Sequence, residues 1–174
     1  MNKPDLIMLD IETLDVAPTA QLLQIGAVNI LKPHLDFVAA ISLQSQIDYF
    51  TTFSLDTGDF WQGLSEEVKQ RVLYGQTPVQ EALSCFARWL PKGARLFCYG
   101  AAFDFPILHH HYHMNGLDIP WNYRDLRCFR TIYAQHKEHF AKAKAELEHD
   151  ALSDAKAQAQ VFRAIYEAHP EIAL

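Results

Sequence analysis

Residues 6–13 read Leu-Ile-Met-Leu-Asp-Ile-Glu-Thr, and no other stretch constrains the fold as much. Four consecutive apolar residues, bounded upstream by Pro4, predict a short strand buried on both faces, because a helix would need a longer pattern. In an extended backbone Asp10 and Glu12 project to the same side at the strand's C-terminal end. Two like charges placed there repel, and a hard divalent cation with oxygen ligands, Mg²⁺ or Mn²⁺, would neutralise them. An isolated Asp-x-Glu pair is more often two ordinary strand-end acids in water. The rest of the chain has to decide.

Downstream, Leu22 to Leu31 is rich in Leu, Ile and Val and predicts a second strand, and Lys32-Pro33 marks a turn into a third over Asp36 to Leu43. Short connections join antiparallel neighbours, so the chain is expected to open with a three-stranded meander. Asp56 is a candidate cap for a short helix holding Phe60 and Trp61, and Ser65-Glu66-Glu67 for another. Thr77-Pro78-Val79-Gln80 has the form of a capping box, followed by Val79, Ala82, Leu83, Phe86, Ala87 and Leu90 on one helical face. A strand over Ala94 to Tyr99 follows, reached by what suits a crossover connection. A helix led by Phe103-Asp104-Phe105-Pro106 runs to about Met114, with Pro106 expected in its first turn. A short strand around Tyr123 to Cys128 and a helix over Phe129 to His136 come next. The last helix, Ala151 to His169, carries Leu152, Ala155, Ala159, Phe162 and Tyr166 on one face, with Asp150 as its cap and Pro170 as its stop.

At 174 residues with 49% hydrophobic and 21% charged content, the chain is expected to form one soluble domain over residues 1–174. Neither a signal peptide nor a membrane span fits its first residues, and Cys85, Cys98 and Cys128, odd in number and without Cys-x-x-Cys, read as reduced thiols rather than a zinc site. A cytoplasmic protein with no membrane contact is the expectation. The net charge of −6 excludes a globally electropositive nucleic-acid binder, so a polyanionic substrate would need local cations. Arg124, Arg127, Arg130, Lys137, Lys142 and Lys144 are candidates for such a surface, although a solvated helix face explains the lysines equally well. His109, His110, His111 and His113 lie on one helix with no carboxylate cluster nearby and read as packing or surface residues.

Asp104 and Asp154 fall near two helix N-termini, where either would by itself be explained by the helix dipole. Together with Asp10, Glu12 and His149 they match a larger pattern. Leu9-Asp10-Ile11-Glu12-Thr13, Tyr99-Gly100-Ala101-Ala102-Phe103-Asp104 and His149-Asp150-Ala151-Leu152-Ser153-Asp154-Ala155 resemble, in order, the three motifs of the DEDDh 3′-5′ exonucleases, in the DnaQ-like branch of the ribonuclease H-like fold. The tyrosine variant of that superfamily has Tyr at the position held here by Asp150, so the histidine subclass fits. Leu22-Leu23-Gln24-Ile25-Gly26-Ala27-Val28, the Asp56 to Trp61 segment and Tyr123-Arg124-Asp125-Leu126-Arg127 are similar to the small enzymes of the phage exodeoxyribonuclease A and mycobacterial exoribonuclease type. Gly100 departs from the pattern, since many of these enzymes have Asn there.

The resemblance implies an α/β fold with a mixed five-stranded sheet, the antiparallel 1-2-3 meander followed by parallel strands, flanked by helices. It implies two divalent cations, Mg²⁺ or Mn²⁺, held by Asp10, Glu12, Asp104 and Asp154, with His149 as general base. The substrate would be a single-stranded RNA or DNA 3′ end, cleaved to nucleoside 5′-monophosphates. Thr13, Leu14, Phe103 and Arg127 would contact it, with Phe60 and Trp61 as further stacking candidates. Dimerisation is expected by analogy alone. A nucleic-acid-binding module that keeps the fold without turnover is the alternative from another functional class.

Overall fold

The computed structural model describes residues 4–47, 49–138 and 140–173, excluding the side chain of residue 173. Eleven regular elements follow one another in the described residues: β1 (Leu6–Thr13), β2 (Leu22–Asn29), β3 (Asp36–Ala40), α1 (Leu55–Gln62), α2 (Glu66–Val72), α3 (Val79–Trp89), β4 (Arg95–Cys98), α4 (Ala101–Met114), β5 (Leu126–Cys128), α5 (Phe129–His136) and α6 (Ala151–Ala168). The sheet order is β3-β2-β1-β4-β5. β1 pairs antiparallel with β2, and β2 with β3, whereas β4 runs parallel to β1 and β5 parallel to β4. This is the mixed ribonuclease H-like sheet expected from the motifs.

Strand β1 lies at the centre and alternates between two cores. Ile7, Leu9 and Ile11 join Leu83, Phe86, Leu108 and Tyr112 of α3 and α4. Leu6 and Met8 face the other way, against Phe129 of α5 and Ala155, Ala159 and Phe162 of α6. Asp10 and Glu12 continue that second series and so point toward α6. A smaller cluster of Leu23, Trp61, Val68 and Val72 seats α1 and α2 beside the sheet.

Side chains decide several boundaries that sequence pattern places differently. β2 ends at Asn29 rather than Leu31, because the Asn29 side-chain oxygen accepts the amides of Leu31 and Lys32 at 3.1 and 3.0 Å and closes the turn. β3 stops at Ala40, short of Leu43, where a 3₁₀ turn over Leu43–Gln46 begins. Ser54, not Asp56, caps α1, its hydroxyl accepting the Thr57 amide at 3.1 Å, while Ser65 caps α2 as expected. The Thr77 capping box does not form: Thr77 instead bridges Ile41, and the Val79 amide donates to Ser45 Oγ at 2.9 Å. α4 starts at Ala101, which moves Pro106 beyond the first turn. No helix among the described residues is long and apolar enough to cross a membrane.

One close approach fixes α6. An ideal Cβ on Gly26 of β2 would lie 2.2 Å from the main-chain carbon of Ala151 and 2.2 Å from the nitrogen of Leu152. Only glycine lets the start of α6 rest directly on the strand.

Candidate active site

Asp10 and Glu12 stand opposite Gly26 and Gln24 in the β1–β2 register. The glycine that admits α6 is therefore the partner of the first acid. Gln24 helps hold the helix start in place: its side-chain oxygen accepts the Ala151 amide at 2.6 Å, and its Nε2 donates to Asp150 Oδ2 at 3.2 Å. Asp150 is fully buried, caps α6 through the Ser153 amide at 3.0 Å and pairs with Arg71 at 3.2 Å. A buried carboxylate with one cation, one amide donor and one helix N-terminus is satisfied, so Asp150 fixes α6 and is not a spare ligand. Sequence pattern assigns Asp150 only the cap. A glutamine inside an otherwise apolar strand is the signal that pointed to the rest.

With α6 so placed, one carboxylate oxygen each of Asp10, Glu12 and Asp154 lies within 4.8 Å of the others. Asp104, in the first turn of α4, is 4% exposed, and its charge bears on both Asp10 and Glu12. The Gln158 side-chain amide donates to Asp10 Oδ1 at 3.0 Å. His149 holds a left-handed backbone, φ 63°, which turns its amide onto Asp154 Oδ2 at 2.9 Å. Its ring stands edge-on to Phe60 at 4.9 Å. All five residues singled out by the motifs are thus gathered around the end of β1.

Among the described residues no lysine or arginine forms an ion pair with any of these four acids. Burial, and then the neighbouring Glu12 and Asp104, drive Asp10 well above the usual carboxylate range. Burial and Asp154 push Glu12 up to about 8, burial pushes Asp104 up to about 6, and Asp154 is raised mainly by burial. The donor set, all oxygen and anionic, suits a hard divalent cation.

A pH dependence follows. Folded Glu12 binds its proton more tightly than an ordinary glutamate near 4.5, so its stabilising contribution is complete below about pH 4.5 and lost as pH rises through about 8. Asp104 acts in the same direction between 3.8 and about 6. The metal-free protein is expected to melt several degrees lower at about pH 8.5 than at about pH 6, with Mn²⁺ recovering most at the higher pH. Differential scanning fluorimetry in chelator and in Mn²⁺ checks both.

The expected substrate contacts are distributed less uniformly. Thr13 and Phe103 line one cavity with Glu12 and Phe60, but the Thr13 hydroxyl already donates to the Asp15 carbonyl at 2.7 Å. Leu14 packs with the cluster around Trp61. Trp61 is 1% exposed and donates its indole N–H to the Thr13 carbonyl at 2.9 Å, so it supports β1 and offers no face for stacking. Phe60, 45% exposed, keeps that capacity. The Arg127 guanidinium is turned onto the carbonyls of Arg124 and Leu126 at 2.6 and 3.0 Å and is not brought to the acids. His111 is buried, donates to the Ala20 carbonyl at 2.8 Å and is pushed down to about 4 by burial, as a packing histidine should be.

A family model described as the 3'-5' exoribonuclease Rv2179c-like domain matches residues 5–166. No curated protein matches the sequence. Among solved structures, the E. coli ExoI–ssDNA complex in its zinc-bound form superposes with a TM-score of 0.71 at 14% identity, covering 98% of this chain and 42% of the other. Cell-death related nuclease 4 (CRN-4) gives 0.60 at 13% identity, over 95% of this chain and 65% of the other. S. pombe Pop2p, in an Mg²⁺- and Mn²⁺-bound form, gives 0.57 at 12% identity, over 97% and 85%. The chain therefore spans under half of ExoI and about two thirds of CRN-4, and at these identities the likeness is one of fold.

Proposed function

Because the chain belongs to the family of the 3'-5' exoribonuclease Rv2179c-like domain, we propose that it acts as one exonuclease domain that removes nucleotides from the 3′ end of single-stranded nucleic acid. The observation that carries this reading is the convergence of Asp10, Glu12 and Asp154 from a strand and a helix, with Asp104 beside them. The family description favours RNA over DNA as the substrate. Three free cysteines suit a reducing cytoplasm.

Asp10, Glu12 and Asp154 would hold one divalent cation, and Asp10 with Asp104 a second, Mg²⁺ or Mn²⁺. Such ions, when bound, acidify water near neutral pH and stabilise charge on the attacking and leaving oxygens. The residues of this chain supply the rest. Gln158 orients the Asp10 carboxylate by donating to its Oδ1. His149, its ring set against Phe60 and its amide tied to Asp154, would take the proton from the attacking water. As the water oxygen bonds to phosphorus, the bond from phosphorus to the upstream O3′ would break, O3′ would take a proton from solvent, and a nucleoside 5′-monophosphate would leave. The cavity of Thr13, Phe60 and Phe103 would seat the terminal nucleotide.

His149→Ala is expected to lower kcat about a hundredfold with little change in substrate binding. Single-turnover kinetics and a binding titration of the variant check this; an unchanged kcat would remove His149 from the base role. The overall reading is tested with matched 5′-labelled RNA and DNA oligonucleotides in Mg²⁺ and in chelator. Stepwise shortening from the 3′ end, with 5′-monophosphates as product and RNA preferred, is expected. Tight binding with no shortening would identify a binding module instead.

A further inference from the structure

Two cations near the acids form no ion pair among the described residues, although the charge of Arg130 reaches Asp104. Arg130, at the start of α5, sets its guanidinium 4.7 Å from the centroid of the Tyr99 ring, and Lys142 sets its ammonium 4.9 Å from the same centroid. Arg130 Nε donates to the Tyr99 carbonyl at 2.9 Å, which anchors the group and leaves its two terminal nitrogens free to donate elsewhere. Each cation is attracted to the ring, yet two positive charges on one ring repel each other, and an anion close to both would relieve that.

The surroundings say which anion. A cavity of about 320 Å³ is walled by Tyr99, Phe129, Tyr133, Lys142 and the carboxylate Glu148 and reaches the acids at Asp154; Arg130 adjoins it only through the Tyr99 ring. This cavity shares no residue with the cavity of Thr13 and Phe103, which reaches the acids at Glu12. If the terminal nucleotide occupies the latter, a strand crossing the acids has the aromatic, lysine-edged cavity as its second opening. A Cβ at Gly100 would meet Asp104 Oδ2 at 3.6 Å and Arg130 Nη2 at 3.7 Å, both ordinary contacts, so the two groups border the same position.

We propose that Arg130 and Lys142, gathered on Tyr99, clamp the backbone phosphodiester immediately upstream of the one cleaved. The clamp rests on the exonuclease reading above and adds a binding site to it. It also meets the need of a chain of net charge −6 for local cations on a polyanion. Arg127, tied to its own turn, has no part in it.

The test uses a single-stranded RNA pentamer in two forms, identical except that the linkage next to the terminal one is a phosphodiester or a neutral methylphosphonate, with the adjoining sugar 2′-O-methylated in both. Binding is read by fluorescence anisotropy in Ca²⁺ and shortening in Mg²⁺. Wild type is expected to bind the neutral strand about tenfold more weakly. The Arg130→Gln/Lys142→Gln double variant, both positions being exposed, should bind the two strands equally. Its slope of log affinity against log salt should be shallower by about 0.7 for each cation lost. If the neutral linkage costs the variant as much as wild type, the clamp is overturned. Shortening of the pentamer without any linkage preference refutes the clamp and keeps the exonuclease; a linkage preference in binding without shortening does the reverse.

Discussion

Asp10→Asn is expected to reduce turnover about a thousandfold or more, equivalent to about 4 kcal/mol of transition-state stabilisation, while the metal-free protein melts at the same or a higher temperature. The two effects have opposite signs for one reason. Asp10 is half-buried among Glu12, Asp104 and Asp154, and its charge opposes folding unless a cation is present. Asparagine has the same shape, can keep the hydrogen bond from Gln158 and removes the repulsion. A merely structural aspartate would lose stability and activity together. Kinetics and a melting curve on the same preparation separate the cases, and retained turnover would contradict the assignment of Asp10 as a ligand.

The second large effect lies outside the acids. Gly26→Ala is expected to destabilise the protein by about 3 kcal/mol and lower Tm by about 6–12 °C, because its Cβ would press on the main chain of Ala151 and Leu152, which cannot swing aside as a side chain can. Residue 26 pairs with Asp10, and the displaced helix carries Asp154, so activity should fall even at temperatures where the variant stays folded. Gly58→Ala is the control. Nothing lies within 4 Å of its Cβ, it sits in α1, and helix propensity predicts a gain of up to about 1 kcal/mol. Chemical denaturation of the two variants measures the contrast.

Elements whose signals are local were legible in the sequence. β1 needed only its apolar run, α5 runs over Phe129–His136 as its pattern suggested, and α6 begins after the Asp150 cap. The strand directions followed from connection length. The acids were legible as a set only through the order and spacing of the three motifs they share with the resembling exonucleases, since Asp104 and Asp154 taken singly are explained by the helix dipole. What pattern could not supply was tertiary competition. Thr77 can cap a helix, but pairing with Ile41 uses its backbone first. Trp61 was as good a stacking candidate as Phe60 until the Thr13 carbonyl claimed its N–H and buried it. The lock of Gln24, Asp150 and Arg71 joins three segments far apart in the chain, and each residue alone has an ordinary local explanation. Arg130 and Arg127 are three residues apart and alike in composition, and only the fold shows that one guanidinium meets Tyr99 while the other satisfies its own turn.

The account depends on the carboxylates at the end of β1 forming a cation pocket before any nucleic acid arrives. Isothermal titration of Mn²⁺ into the metal-free protein at about pH 8, without substrate, tests this most directly. Wild type should bind at least one Mn²⁺ with a dissociation constant well below a millimolar, Asp10→Asn should lose that binding, and Asp59→Asn, at an exposed position on α1, should keep it. Equal Mn²⁺ binding by wild type and Asp10→Asn, or none by either, would contradict the account.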